Sequence, residues 1–127
     1  ATDGPLFAYL EDIAPDGSIA MVSEGRLKAS LRTLGKPPYK LPEGMLWPTF
    51  LQADARPLKP GEIVRLQFDL MPVSYIFKAG HRYRLTLTGA DPREKLRAVL
   101  DPAPTWTIYR DAARPSHLIL PIVGARQ

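Results

Sequence analysis

Apolar and polar positions alternate with a period of two in two runs of this chain. In residues 63–70, Val64, Leu66, Phe68 and Leu70 interleave with Ile63, Arg65, Gln67 and Asp69. In residues 82–88, Tyr83, Leu85 and Leu87 interleave with Arg82, Arg84, Thr86 and Thr88. Alternation of this kind sends one set of side chains to a buried face and the other to water, so both runs predict half-buried strands. Lys59-Pro60-Gly61 and Lys78-Ala79-Gly80 put turn residues ahead of them. Residues 6–13 are apolar on both sides, which predicts a strand covered on two faces. Pro15-Asp16-Gly17 follows as a tight turn: proline presets its dihedral, aspartate bonds the backbone and glycine takes positive φ. Residues 19–22 return as the hairpin partner, Gly25 breaks the run, and residues 26–32 form a third strand with Leu27, Ala29 and Leu31 inward.

The pattern dissolves over residues 33–56. Prolines at 37, 38, 42 and 48 with glycines at 35 and 44 predict a long loop carrying Tyr39, Trp47 and Phe50. Tyr75-Ile76-Phe77 is a short apolar piece ahead of Gly80. Leu96, Val99 and Leu100 have helical spacing, but Pro92, Pro102 and Pro104 confine any helix to about two turns. Residues 106–110 and 117–123 read as the last strands. Seven or eight short strands predict an all-β domain, a sandwich with Greek-key or jelly-roll connections.

Composition narrows the functional classes. A chain of 127 residues is one domain, with enough length to bury a core. Its 14 prolines leave little room for long helices. There is no cysteine, so disulfides, thiolate metal sites and cysteine nucleophiles are excluded; this fits a reducing, cytoplasmic setting. No apolar run is long enough to span a membrane as a helix, and a soluble chain is expected. The net charge is +4, but the lysines and arginines stand singly on outward strand positions, with no interleaved aromatic pattern for stacking bases. Nucleic acid is therefore not the expected partner. The chain begins at Ala1 and enters a strand pattern within a few residues, which reads as a fragment or a processed chain.

The search for chemistry finds no complete constellation. None of Ser18, Ser23, Ser30, Ser74 or Ser116 lies in a G-x-S-x-G elbow. Ser74 with His81 is the least poor pair. His81 beside Gly80 reads first as an imidazole bonded to turn backbone, and His117 in a strand beside Ser116 as structural. Two isolated histidines give no zinc spacing, Asp12 and Asp16 lack a calcium-loop series, and phosphate-binding glycine loops are absent. No catalytic, metal or cofactor-binding residue is assigned.

Five motifs then carry a resemblance: FAYLEDIAPDG at 7–17, EGRLKASLR at 24–32, LKPGE at 58–62, FDLMPVSYIFKAGHRYRL at 68–85 and PSHLILPI at 115–122. In this order the chain resembles, over nearly its whole length, the C-terminal domain of the X-prolyl dipeptidyl-peptidase and cocaine-esterase (CocE/NonD) group of serine hydrolases. The resemblance implies a single jelly-roll β-sandwich over 1–127, galactose-binding-domain-like, appended to an α/β-hydrolase catalytic domain. The family's triad belongs to that other domain, so no triad residue is carried over. The sandwich is expected to buttress the catalytic domain, border its active-site cleft and join subunits in a homo-oligomer. The family's domain has a strand ahead of the position matching Asp3, which is expected to be missing here. Trp47, Tyr75 and Phe77 are the expected inter-domain contacts. Fold analogy supplies the alternative, a carbohydrate-binding module in which Trp47 and Trp106 stack on sugar rings.

Overall fold

The computed structural model describes residues 3–93 and 102–124. Its regular core is an antiparallel sheet of three strands in the order β2-β1-β3, built from β1 (Pro5–Ile13), β2 (Ile19–Lys28) and β3 (Arg82–Thr88). The described residues are mostly strand and extended chain, with only two short 3-10 turns, at Ala29–Leu31 and Gln52–Asp54. The chain is all-β, as the alternation predicts.

The doubly apolar run becomes the central strand. Leu6, Phe7, Ala8 and Leu10 are buried, covering both sides of β1. The turn at 14–18 is built as expected. Gly17 has φ +86°, its N–H donates to Ala14 O at 2.9 Å, and Asp16 Oδ1 accepts from the backbone N–H and hydroxyl of Ser18. The hairpin register runs from Pro5↔Lys28 to Ile13↔Ile19 and shifts between Leu10 and Glu11, where Val22 is left over as a bulge.

Gly25 does not break the return strand. β2 runs straight through it to Lys28, and the expected third strand over 26–32 is the end of β2 plus the 3-10 turn at Ala29–Leu31. Glycine serves close approach here. A Cβ at position 25 would lie 2.4 Å from Asp69 O, because residues 69–71 pass tightly over β2. Ser23 Oγ donates to Met71 O at 2.5 Å and Met71 N–H donates to Glu24 O at 2.8 Å, which ties that segment to the sheet.

Three expected strands form no ladder. Residues 63–70, 106–110 and 117–123 are extended but unpaired in the described structure. The burial alternation of 63–70 is nevertheless the expected one: Val64, Leu66, Phe68 and Leu70 are half-buried and the residues between them exposed. Leu118 and Leu120 likewise alternate with Ile119, which is 78% exposed. Periodicity reports which side of a chain is apolar; it does not report a hydrogen-bonding neighbour.

A second correction concerns β3. Residues directly opposite one another share a sheet face. Ala8↔Leu87, Leu10↔Leu85 and Asp12↔Tyr83 therefore put Tyr83, Leu85 and Leu87 on the face that carries Leu6, Ala8, Leu10 and Leu27. The core covers β1 and the Leu27 end of β2 and stops short of β3, where Tyr83 is 67% exposed and Leu85 39%. Phe68 and Leu85 are thus not the core residues their pattern suggests. Cross-strand neighbours of similar spacing lead the sequence to suggest an Arg82–Asp69 pair, but none forms among the described residues, since the neighbour of β3 is β1. Arg84 Nε instead donates to Glu11 Oε2 at 2.7 Å, and Asp69 Oδ2 accepts from Leu46 N–H.

The 33–56 segment is irregular, as expected, yet it folds back on itself. Leu34 bridges Pro48, and Gly35 N–H donates to Trp47 O. The short helix expected around Leu96, Val99 and Leu100 lies outside the described residues.

Candidate interface site

The densest polar constellation on the apolar face is centred on Asp12, near the end of β1. Strand alternation places its carboxylate on the same side as Leu10 and Tyr83, where it is 4% exposed. A buried carboxylate needs donors. They come from the segment leading into β3: Tyr75 Oη donates to Oδ2 at 2.8 Å, and His81 Nδ1 lies 2.9 Å from Oδ1. Burial pushes the Asp12 carboxyl up, but the bonds from Tyr75 and His81 outweigh it and hold the group below the ordinary carboxylate range. The ionised carboxylate only accepts, so Nδ1 of His81 carries the hydrogen. The same bond from Tyr75, aided by burial, raises the phenol.

The turn before β3 makes this geometry. Gly80 has φ +81°, and His81 N–H donates to Lys78 O at 3.1 Å, which turns the imidazole back over β1. A small cleft of about 170 Å³ opens beside it, lined by Ser18, Lys78 and His81 among others. His81 is thus held by a side-chain carboxylate, where turn backbone was the expected partner. No hydrogen bond joins Ser74 to His81 among the described residues, which removes the geometry a serine–histidine pair requires. Ser116 Oγ donates to Tyr109 O, so it too is occupied structurally.

The expected contact residues separate into two places. Tyr75 and Phe77 stack edge-to-face with centroids 5.0 Å apart, and Phe77 meets Tyr83 at 6.3 Å. Trp47 pairs edge-on with Tyr39 in the long loop instead. Trp106 lies against two glycines: a Cβ on Gly4 or Gly89 would come within 3.3 or 3.1 Å of its indole. Its Nε1 is buried without a hydrogen-bond partner among the described residues. An indole packed this closely against two glycines has part of its surface already covered.

A second cluster occupies the opposite face. Arg93 bonds Asp91 and Glu24 and lies over the Tyr9 ring, and Tyr9 Oη donates to Asp91 Oδ2 at 2.7 Å. The Arg93 bonds hold Asp91 far below the usual carboxylate range, and burial followed by the Asp91 bond raises Tyr9. These charges border a cleft of about 580 Å³ that also involves Phe7, Met45 and Met71. Each is consumed by its neighbour, the mark of a structural network. Sequence reading missed both clusters, because their members lie far apart in the chain. The signal available for the first was an aspartate on the apolar register of β1, a position that demands partners.

Among the described residues there is no group of three or more acidic or histidine side chains placed to hold a metal ion. No helix among them is long and apolar enough to cross a membrane. Fold and site define a β-module whose polar groups are engaged in holding structure. The chain belongs to the family of the X-Pro dipeptidyl-peptidase C-terminal non-catalytic domain, whose sequence model matches residues 1–119. It is similar to two proteins provisionally named serine esterases, from Mycobacterium bovis and Mycobacterium tuberculosis, each 44% identical over 126 residues, covering 97% of this chain and 19% of the relative. It is also similar to a cocaine esterase from a Rhodococcus species, 26% identical over 137 residues, covering 97% of this chain and 21% of that protein. The chain thus spans about a fifth of the length of these relatives. No solved structure matches it.

Proposed function

We propose that this chain is the C-terminal domain of a serine hydrolase. It supports an α/β-hydrolase catalytic domain in the same polypeptide, walls part of that domain's active-site cleft and contributes to contacts between subunits. The reading rests above all on the family match over residues 1–119, in relatives about five times longer that carry esterase names. The nucleophile, its histidine and its acid then lie in the catalytic domain.

The exposed surface supports the same reading. The chain has 10315 Å² of accessible surface, against roughly 6,700 Å² for a free-standing folded protein of this mass. Exposed Ile76, Ile119, Ile122 and Val123 contribute to the surplus. Large apolar side chains left exposed in this way mark a module built to be covered. The runs at 63–70, 106–110 and 117–123, which form no ladder among the described residues, are the material for a second sheet, and we infer that they complete a jelly-roll sandwich in the whole protein.

The test compares three proteins with an activated ester and with X-Pro dipeptide substrates: the parent, the parent truncated before this domain, and this chain alone. The expected outcome is turnover by the parent, reduced kcat or thermal stability after truncation, and no turnover by the chain alone. Turnover by the isolated chain overturns the proposal.

A further inference from the structure

Tyr75-Ile76-Phe77 protrudes as an apolar knuckle that the fold takes trouble to hold still. Its central side chain, Ile76, is 83% exposed. Its neighbours are both fastened: Tyr75 to Asp12 by a 2.8 Å hydrogen bond and by stacking on Phe77, and Phe77 to Tyr83 of β3. Asp12 in turn is gripped by His81 at the other end of the same excursion. One buried carboxylate thus clamps both ends of a short segment that carries an exposed isoleucine. An exposed isoleucine on a mobile loop would mean little. An exposed isoleucine between two anchored aromatic rings is a pre-organised contact, which loses little entropy on docking. Among the described residues, the backbone N–H groups of 75–77 donate no hydrogen bond to the backbone. This short edge is therefore open to a partner strand or loop.

Resting on the function proposed above, we propose that this knuckle is the central inter-domain contact, Ile76 entering an apolar pocket of the catalytic domain in the same polypeptide, with Asp12 and His81 as the residues that position it. The occupant follows from the family's place within proteins about five times longer, and from the chain's surplus surface. Lys78, beside the cleft, puts positive charge next to the apolar centre, so the facing pocket carries an acidic rim. Tyr75 and Phe77 are contacts through this knuckle. Trp47, paired with Tyr39 in the long loop, is not part of it.

The absence of cysteine from the chain makes the test direct. Ile76→Cys and, as an exposed control, Arg110→Cys are introduced singly into the full-length parent. Maleimide labelling at each is followed by peptide mass spectrometry and normalised to the rate in urea. The expected result is labelling at position 76 at least about tenfold slower than at 110, since modification must wait for local undocking. Adding Asp12→Asn to Ile76→Cys speeds labelling at 76, whereas adding Leu27→Val, a mild core change, does not. Equal rates at 76 and 110 overturn the proposal. Slow labelling that becomes fast on dilution to monomer assigns the pocket to a second copy and overturns the stated occupant. Should Ile76→Cys fail to fold, hydrogen exchange on the unmodified parent decides: protected amides at 75–77 support the contact and unprotected ones refute it. Ester turnover by the same samples separates the two readings. An active parent with a freely labelled position 76 sinks this inference alone; an inert parent with a protected 76 sinks the hydrolase reading alone.

Discussion

Single residues in this chain matter in proportion to what their side chains touch. Leu27 is 2% exposed and lies opposite Leu6 on the apolar face of the sheet. Leu27→Ala should cost about 2–5 kcal/mol, from lost transfer energy plus the cavity left behind; urea unfolding with an unchanged m-value checks it. Leu85→Ala should cost clearly less, because Leu85 keeps 39% of its surface in water. Asp12 differs in kind. Two donors converge on it from one segment, so Tyr75→Phe and His81→Ala should be non-additive in a double-mutant cycle, each removing part of a shared clamp. Additive effects would show that the two bonds act independently. The turn residues Pro15, Asp16 and Gly17 were legible from their types, since each has a backbone conformation or bond that its chemistry favours. Asp12 was not. Its importance depends on Tyr75 and His81 arriving from more than sixty positions away, which no local pattern encodes.

At the level of elements, the sheet records where periodicity suffices and where it does not. β1 was legible from its doubly apolar run and the turn that follows, and β3 from its alternation and the turn ahead of it. Gly25 misled for a physical reason. A glycine in a strand pattern signals either a break or a close backbone approach, and only the position of Asp69 O distinguishes them. Gly25→Ala should therefore destabilise by about 1–3 kcal/mol, as overpacking does, and should loosen residues 69–71, visible as faster hydrogen exchange at Met71. Unchanged exchange there would mean that segment is held by other means. The unpaired runs at 63–70 and 117–123 show the converse case. Half-buried positions follow the alternation in 63–70, whereas Ile119, Ile122 and Val123 are exposed although apolar, and the partners of both runs depend on a layer that sequence alone does not locate.

For the whole molecule, the charge network sets a pH window. Asp3, Glu11, Asp12, Asp16 and Asp91 all titrate below the ordinary carboxylate range in the folded chain. Folding therefore favours their ionised forms. The resulting stabilisation is complete above the unfolded value of about 4 and disappears as pH falls through the folded values. Tyr9 and Tyr75 are raised, so folding favours the protonated phenol, and that contribution holds below about pH 10 and is lost as pH rises through the folded values. The melting temperature should form a plateau across about pH 5–9 and fall on both sides. A stability still rising below pH 4 would contradict the network.

The placement of β1 between its two neighbours bears on how the chain is made. β2 emerges directly after β1, across a turn of a few residues. β3 follows much later, with Arg82 paired to Ile13 across 69 positions. At roughly 5–20 residues per second, a ribosome needs several seconds to supply it. For that interval the nascent hairpin carries an apolar centre with one hydrogen-bonding flank vacant. That is the period in which a chaperone would have most to shield.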